Sequence, residues 1–432
     1  LKQGRFIADV CYFFGEGAPL EVKDMKLELL SGYDYDICSS DILQKMEVSN
    51  GKIVFPSGMS YRYLFLPDTE RLTLSSVQKI YELAKSGAKI IAQKRIAGTP
   101  GLSGFPEDDQ KVKAIADKLW SQGKIITETD WNKIFEKDKI QPDFEGPGLN
   151  YIHRKIDDID IYFVANPKPE VVHSICSFRI SEKVPELWNP ENGEIRELPE
   201  FKENNGQVSV PLHFDPMQSW FIVFRKKNSL LNSAVNFPQY TPVLEIEGKW
   251  QVCFDSQWGG PANPVVFETL QDWSKHMKPE IRYYSGTATY KKSINLSENL
   301  VSGPGSVLLD LGKVEVMARI RVNGKDCGVV WKPPYRIDIS DAIHTGENIL
   351  EVDVVNTWVN RMIGDEQLPE DCEWIDWVRL REWPEWFLKN TPRPTKRYTF
   401  TTVKHYKKDD SLVPSGLLGY VRIIKCVEEN MK

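Results

Sequence analysis

LSSVQKIYELAKSGAKIIA, residues Leu74–Ala92, sets the fold class of the first part of the chain. Apolar residues recur at Leu74, Val77, Ile80, Tyr81 and Ala84, the spacing of one buried helix face. Ser75 and Ser76 stand near the start of that helix, and Gly87 ends it. Ala88–Ala92 then reads as a short strand. Working outward, RFIADVCYFF (Arg5–Phe14) is a continuous apolar run closed by Gly15, which predicts one strand buried on both faces. Tyr33–Cys38 and Arg62–Leu66 read as further strands, and Val112–Trp120 as a second helix. Strands alternating with helices predict an open, mostly parallel sheet of flavodoxin-like (glutaminase-like) type over residues 1–150.

From Tyr151 the period changes. Ile159–Val164, Val171–Ile180, Gln207–Leu212 and Ser219–Phe224 are short strands separated by turn signals such as Asn166-Pro167 and Asn192-Gly193. They predict a small antiparallel β-sandwich over residues 151–227. Asn228–Pro242 is polar and reads as a linker. Residues 228–432 are that linker plus an all-β domain, with strands at Trp250–Phe254, Gly286–Ile294, Ser306–Leu311, Ala318–Val322, Arg336–Ile339, Asn348–Val355, Tyr398–Val403 and Tyr420–Cys426. Asn323-Gly324 is a strong hairpin signal between Ala318–Val322 and Gly328–Trp331. The pattern predicts a jelly-roll β-sandwich, galactose-binding-like.

The chain has 432 residues, about three domains at roughly 150 residues each. Hydrophobic residues make up 41%, enough for sizeable cores. A net charge of -6 supplies no broad basic field, which argues against nucleic acid as a partner. No apolar stretch is long enough to span a membrane. The 13 Trp, 16 Tyr and 19 Phe bias the reading toward a carbohydrate partner, since ring faces pack on sugar C–H faces. Seven widely spaced cysteines contain no C-x-x-C pair, so most read as buried structural thiols, and the odd count leaves room for one disulfide. The chain begins Leu1-Lys2-Gln3-Gly4, without Met or signal peptide, which predicts a fragment or processed chain.

Several chemistries lack their signatures. Gly98-Thr-Pro-Gly101-Leu-Ser-Gly104 follows a strand but lacks phosphate-loop spacing and reads as a plain loop. Cys11 and Cys38 have no nucleophile elbow, and the six histidines have no zinc spacing. The densest cluster is Asn356–Trp386, where acids alternate with tryptophans. Such a cluster suits sugar hydroxyls and ring faces. It also suits calcium, an acid/base pair, or a loop pinned by its own aromatics. Lys332-Pro333-Pro334-Tyr335 reads as a stiff turn.

GRFIADVCYFFGEGAP (Gly4–Pro19), LPDTERLTLSSVQKIYELAKSGAKII (Leu66–Ile91) and ELWNPENGEI (Glu186–Ile195) resemble the segment that follows the catalytic barrel in glycoside hydrolase family 106, the α-L-rhamnosidases. YYSGTATYKKS (Tyr283–Ser293), RIRVNGKDCGVVWKPPYRIDIS (Arg319–Ser340), NTWVNRMIGD (Asn356–Asp365), RYTFTTVKHY (Arg397–Tyr406) and PSGLLGYVRI (Pro414–Ile423) resemble the same family. More loosely, they resemble the sugar-binding jelly roll of family 2 glycosidases. The resemblance implies a periplasmic or secreted enzyme removing L-rhamnose from polysaccharide by means of a carboxylate pair. It puts those carboxylates in a barrel before Leu1, so no catalytic residue is carried over, and whether this chain alone is an enzyme stays open. The barrel of the same parent chain is the implied partner, braced by this region. No cofactor is implied that can be assigned, calcium included. For a substrate cleft the candidates are Trp331 and Trp358 for stacking, with Arg361, Asp365 and Glu366 for hydroxyl hydrogen bonds. The rival readings are a free-standing carbohydrate-binding or scaffold protein without catalysis, and a hydrolase using the acids of Asp365–Glu385.

Overall fold

The computed structural model describes residues 2–16, 27–227, 235–237, 239–376 and 378–427, except the side chains of Lys227, Cys426 and Val427. They form two compact units, Leu1–Phe237 and Pro238–Lys432. The first unit is mixed α/β and the second is β-rich.

Five parallel strands form one sheet of the first unit: Val10–Phe13, Tyr35–Cys38, Tyr63–Phe65, Lys89–Ile91 and Ile125–Ile126. In space the second strand stands at one edge, followed by the first, third, fourth and fifth. Alternate residues enter opposite cores. Cys11, Phe13, Leu64 and Ile90 pack with the helices Leu74–Lys85 and Glu107–Ser121. Val10, Tyr63, Phe65 and Ile91 pack with the helix Trp131–Lys137. Burial on both faces is why these strands read as unbroken apolar runs. Helix Leu74–Lys85 starts where Thr73 Oγ1 accepts the Ser76 amide, and Glu16 accepts from the Thr73 amide and the Ser76 hydroxyl. Gly87 follows its end at φ +100°, a left-handed position open to glycine.

The run Arg5–Phe14 is not one strand. Arg5–Phe6 pairs antiparallel with Arg154–Lys155 in another sheet, and only Val10–Phe13 joins the parallel one. The break falls at Asp9, a carboxylate only 3% exposed that is held by two guanidiniums. Two further features were not predicted. A three-stranded antiparallel sheet (Glu47–Ser49, Lys52–Val54, Ser60–Tyr61) follows the second parallel strand, and helix Trp131–Lys137 follows the fifth.

The rest of the first unit is two antiparallel sheets. One has six strands, in the order Arg5–Phe6, Asn150–Ile156, Ile159–Ala165, Ser219–Lys227, Lys183–Trp188 and Ile195–Glu197. The other has four: Phe144–Glu145, Val172–Phe178, Gln207–Phe214 and Lys202–Asn204. Strict alternation along Ile159–Ala165 and Gln207–Phe214 sends Tyr162, Val164, Val208, Val210 and Leu212 into one shared core.

The second unit has a six-stranded sheet: Val265–Phe267, Trp250–Phe254, Thr287–Leu296, Gly346–Val355, Met317–Val322 and Lys325–Val330. A four-stranded sheet contains Gln239–Glu245, Arg422–Val427, Val307–Asp310 and Arg336–Asp338. Both contribute to one core, with Val252, Tyr290 and Val352 from the first and Leu309 and Ile423 from the second. Asn323 and Gly324 take φ 53° and 78° in the predicted hairpin, the double positive φ that a tight two-residue turn requires.

Two readings are corrected here. Residues 239–242, read as linker, open a strand paired with Arg422–Val427, while residues 228–234 and Pro238 lie outside the described residues. Tyr398–Val403 is not a strand apart from one bridge between Arg379 and Val403, because the amides of Tyr398 and Thr399 are taken by the Asp365 carboxylate. Six cysteines are free thiols, of which Cys11, Cys38 and Cys176 are buried and the other three are partly exposed; Cys426 lies outside the described side chains.

Ile90 is fully buried in the parallel sheet. Ile90→Ala is expected to lower the stability of the first unit by about 2–5 kcal/mol, read as an earlier urea transition.

Candidate functional site

In the second unit the chain leaves strand Gly346–Val355 and runs through helix Val359–Asp365 into a long strap that returns at Ser415. Two asparagines fasten it. Asn356 donates to the Tyr284 carbonyl at 2.9 Å and accepts the Gly286 amide at 3.0 Å. Asn360 donates to the Val413 carbonyl and accepts the Val413 amide, both at 2.8 Å. The Arg361 amide donates to Ser285 Oγ at 3.1 Å, so the helix start is tied to the sheet at several points.

This helix brings Trp358, Arg361 and Asp365 together. Trp358 is 43% exposed and meets the ring of Trp258 edge-on at 5.2 Å. The Arg361 guanidinium is buried, donates to the Trp258 carbonyl at 3.2 Å and lies 4.7 Å from the centre of the Tyr398 ring. Burial lowers its pKa below the ordinary arginine value against the opposing fields of Asp365 and Tyr398. Asp365 is 2% exposed, and its Oδ2 accepts from the amides of Tyr398 and Thr399 and from the Thr399 hydroxyl at 2.6–2.8 Å. Arg361 Nε and Asp365 Oδ1 are buried and have no hydrogen-bond partner among the described residues. Such atoms are uncommon in folded proteins and call for a partner such as an ordered water.

Trp258 and Tyr398, both about 40% exposed, were not singled out from sequence. The signal was thin: Trp258 precedes Gly259-Gly260. Gly259 has φ +77°, and a Cβ there would stand 2.7 Å from the Tyr398 ring, so only glycine admits the ring this close. Glu366 instead faces inward to Arg397 at 2.9 Å and Lys404 at 3.3 Å. Trp331 is 60% exposed beyond strand Lys325–Val330 and has no ring contact with Trp358. Trp377 lies outside the described residues.

Several further acids of the strap are paired internally. Asp371 holds Arg393 at 2.5 Å and 3.0 Å, with Arg393 over the Trp386 ring. Glu370 pairs with Lys404, which sits over the Trp374 ring. Among the described residues no group of three or more His, Cys, Asp or Glu side chains is placed to hold a metal ion. With their carboxylates committed to arginine and lysine, these acids do not fit a calcium ion.

The first unit contains a second polar constellation, which no sequence motif announced. Arg62 pairs with Asp9 at 2.9 Å, and Asp9 with Arg179 at 3.1 Å. Arg179 reaches Asp143 at 3.2 Å, and Asp143 holds His153 Nδ1 at 2.9 Å. His153 Nε2 meets Asp160 at 3.2 Å, and Asp160 accepts Lys183 at 2.9 Å. Burial alone would lower the His153 pKa, but Asp143 and Asp160 outweigh it and raise it. Burial pulls Asp160 up, yet His153 and Lys183 bring it down to about 2. In the glycine-rich loop, Asp109 of the following helix accepts the Thr99 amide and hydroxyl, which closes the loop on its own chain.

Residues 1–203 match the glycoside hydrolase family 106 model, described as alpha-L-rhamnosidase. The structure of the rhamnosidase from Novosphingobium sp. PP1Y is similar over 98% of this chain and 39% of its own, at 30% identity and a TM-score of 0.81. A putative beta-glucuronidase from Formosa agariphila is 27% identical over 100% of this chain and 56% of its own length. A beta-glucuronidase from an uncultured Clostridium sp. has 18% identity and a TM-score of 0.26, too low to carry an argument. The chain thus spans less than two thirds of these relatives. The chain is multidomain and β-rich, and its resemblance is to glycoside hydrolases. Just under half of the chain matches the family 106 model, and its fold is similar to that of a rhamnosidase.

A charged His153 stabilises the fold fully below its unfolded value of about 6.5, and that contribution fades as pH rises through the raised folded value. The stability margin of the native chain over His153→Gln should therefore be largest at acid pH and shrink toward alkaline pH. Thermal unfolding from about pH 5 to about pH 9 measures it, and a constant margin would show a neutral His153.

Proposed function

We propose that this chain is the accessory, sugar-contacting part of an α-L-rhamnosidase-like hydrolase acting on rhamnose-containing polysaccharide. Its parallel sheet is taken as flavodoxin-like, with the second-first-third-fourth-fifth strand order of that class. The two antiparallel sheets of the second unit are taken as a jelly-roll module. A catalytic barrel of the same parent protein is the partner this reading gives it, with export as part of the same proposal. The name rhamnosidase is preferred to beta-glucuronidase because the family model and the structure with TM-score 0.81 carry it.

The observation that carries the sugar reading is one edge of the second unit. Trp258, Trp358 and Tyr398 expose ring surface around the buried Arg361, whose Nε has no partner. Rings supply C–H stacking, and a buried donor without a partner supplies direction to a hydroxyl. Asp365 has two functions in this reading: Oδ2 shapes the loop, and Oδ1 is left as an acceptor. Glu366 is the weakest of the group, being engaged by Arg397 and Lys404.

Calorimetric titration with a rhamnose-containing oligosaccharide tests this. Saturable binding is expected, weakened about tenfold or more by Trp358→Ala and unchanged by Trp383→Ala, whose ring packs on Phe387 and Phe400. Absence of binding, or equal loss in both variants, would reject this edge as a sugar site.

A further inference from the structure

Beside the ion chain of the first unit lies a cavity of about 310 Å3, at the lower end of the range for small-ligand sites. Five cationic side chains line it against three carboxylates, an excess of two positive charges before His153 is counted. The carboxylates are already satisfied. Asp9 is shared by Arg62 and Arg179, Asp143 by Arg179 and His153, and Asp160 by His153, Lys155 and Lys183. The surplus is therefore located on particular atoms. The side chain of Lys52, on strand Lys52–Val54, has no ion pair or hydrogen bond among the described residues. Arg62 gives Nε to Asp9, while its two terminal nitrogens have no partner among the described residues and its side chain is 38% exposed. Burial, then Arg62, lower the Lys52 pKa below the ordinary lysine value; Asp9 opposes the shift and Arg179 adds to it, so the cations outweigh the nearby carboxylate.

We propose that this cavity binds a small oxyanion, a sulfate or carboxylate either free or carried on a sugar, between the Lys52 ammonium and the terminal nitrogens of Arg62. An anion there removes the mutual repulsion of Lys52, Arg62 and Arg179 and gains charge-assisted hydrogen bonds from both donors. The exposed part of Arg62 gives access from solvent. The site lies wholly within the first unit, so it stands or falls independently of the sugar edge proposed for the second.

The test is calorimetry of the whole chain with sodium sulfate and with sodium glucuronate, at ionic strength held constant with chloride. Saturable binding of at least one anion is expected. Lys52→Ala should weaken it about tenfold or more, Lys52→Glu should abolish it, and Lys52→Arg should retain it. The Lys52 side chain makes no hydrogen bond or ion pair among the described residues, so circular dichroism of these variants should match the native chain. Tighter binding of glucuronate than of acetate, titrated in the same way, identifies a sugar-borne carboxylate, and tighter binding of sulfate than of either carboxylate identifies a sulfate group. No saturable heat with either anion, or affinities unmoved by Lys52→Ala and Lys52→Glu, would overturn the proposal.

Discussion

The first unit depends on how it handles the charge of Asp9. This carboxylate sits in the middle of an apolar run, 3% exposed, between a strand that joins one sheet and a strand that joins another. A buried carboxylate without a cation is strongly destabilising, by about 3–5 kcal/mol when a partner is removed. Arg62 reaches it from beside the parallel sheet and Arg179 from the end of strand Val172–Phe178. The ion pairs therefore fix where the chain changes sheets. From Arg179 the same alternation of charge runs on through Asp143, His153 and Asp160 to Lys183. Each member is satisfied by the next, so the chain of charges is held as a whole and confers position more than net stability.

The second unit solves a related problem with one carboxylate in place of strand pairing. Asp365 Oδ2 accepts the two successive amides of Tyr398 and Thr399, which would otherwise need a neighbouring strand. That contact bends the strap so that Tyr398 covers Gly259 and faces Arg361. The exposed rings and the buried donor thus come from three separate stretches of chain, joined by a side chain whose own second oxygen remains open. Meanwhile the acids and tryptophans farther along the strap neutralise and cover arginine and lysine, which is scaffolding.

The two polar constellations differ in kind. The edge of the second unit offers ring faces and single hydrogen-bonding atoms, the vocabulary of a neutral sugar. The cavity of the first unit offers surplus positive charge, which favours an anion. One constellation is thus suited to a neutral ligand and the other to a charged one, and they lie in different units of the chain.

Much was legible in the sequence because periodicity is local. Helix Leu74–Lys85, strand Trp250–Phe254 and the Asn323-Gly324 turn follow from spacing and backbone preference within a dozen residues. Trp358, Arg361 and Asp365 could be picked out because acids and aromatics crowd that stretch. Three things could not be read. The split of Arg5–Phe14 depends on Arg179, 170 residues from Asp9. The loss of strand Tyr398–Val403 depends on Asp365, 33 residues from Tyr398. The surplus of positive charge in the cavity depends on Lys52 and Arg62 meeting a spent set of carboxylates. The sequence by itself determined the elements, their faces and the family likeness, since each rests on neighbours along the chain. Only the tertiary structure decided which charges are paired and which donors are left over, because electrostatic satisfaction is a property of distance in space.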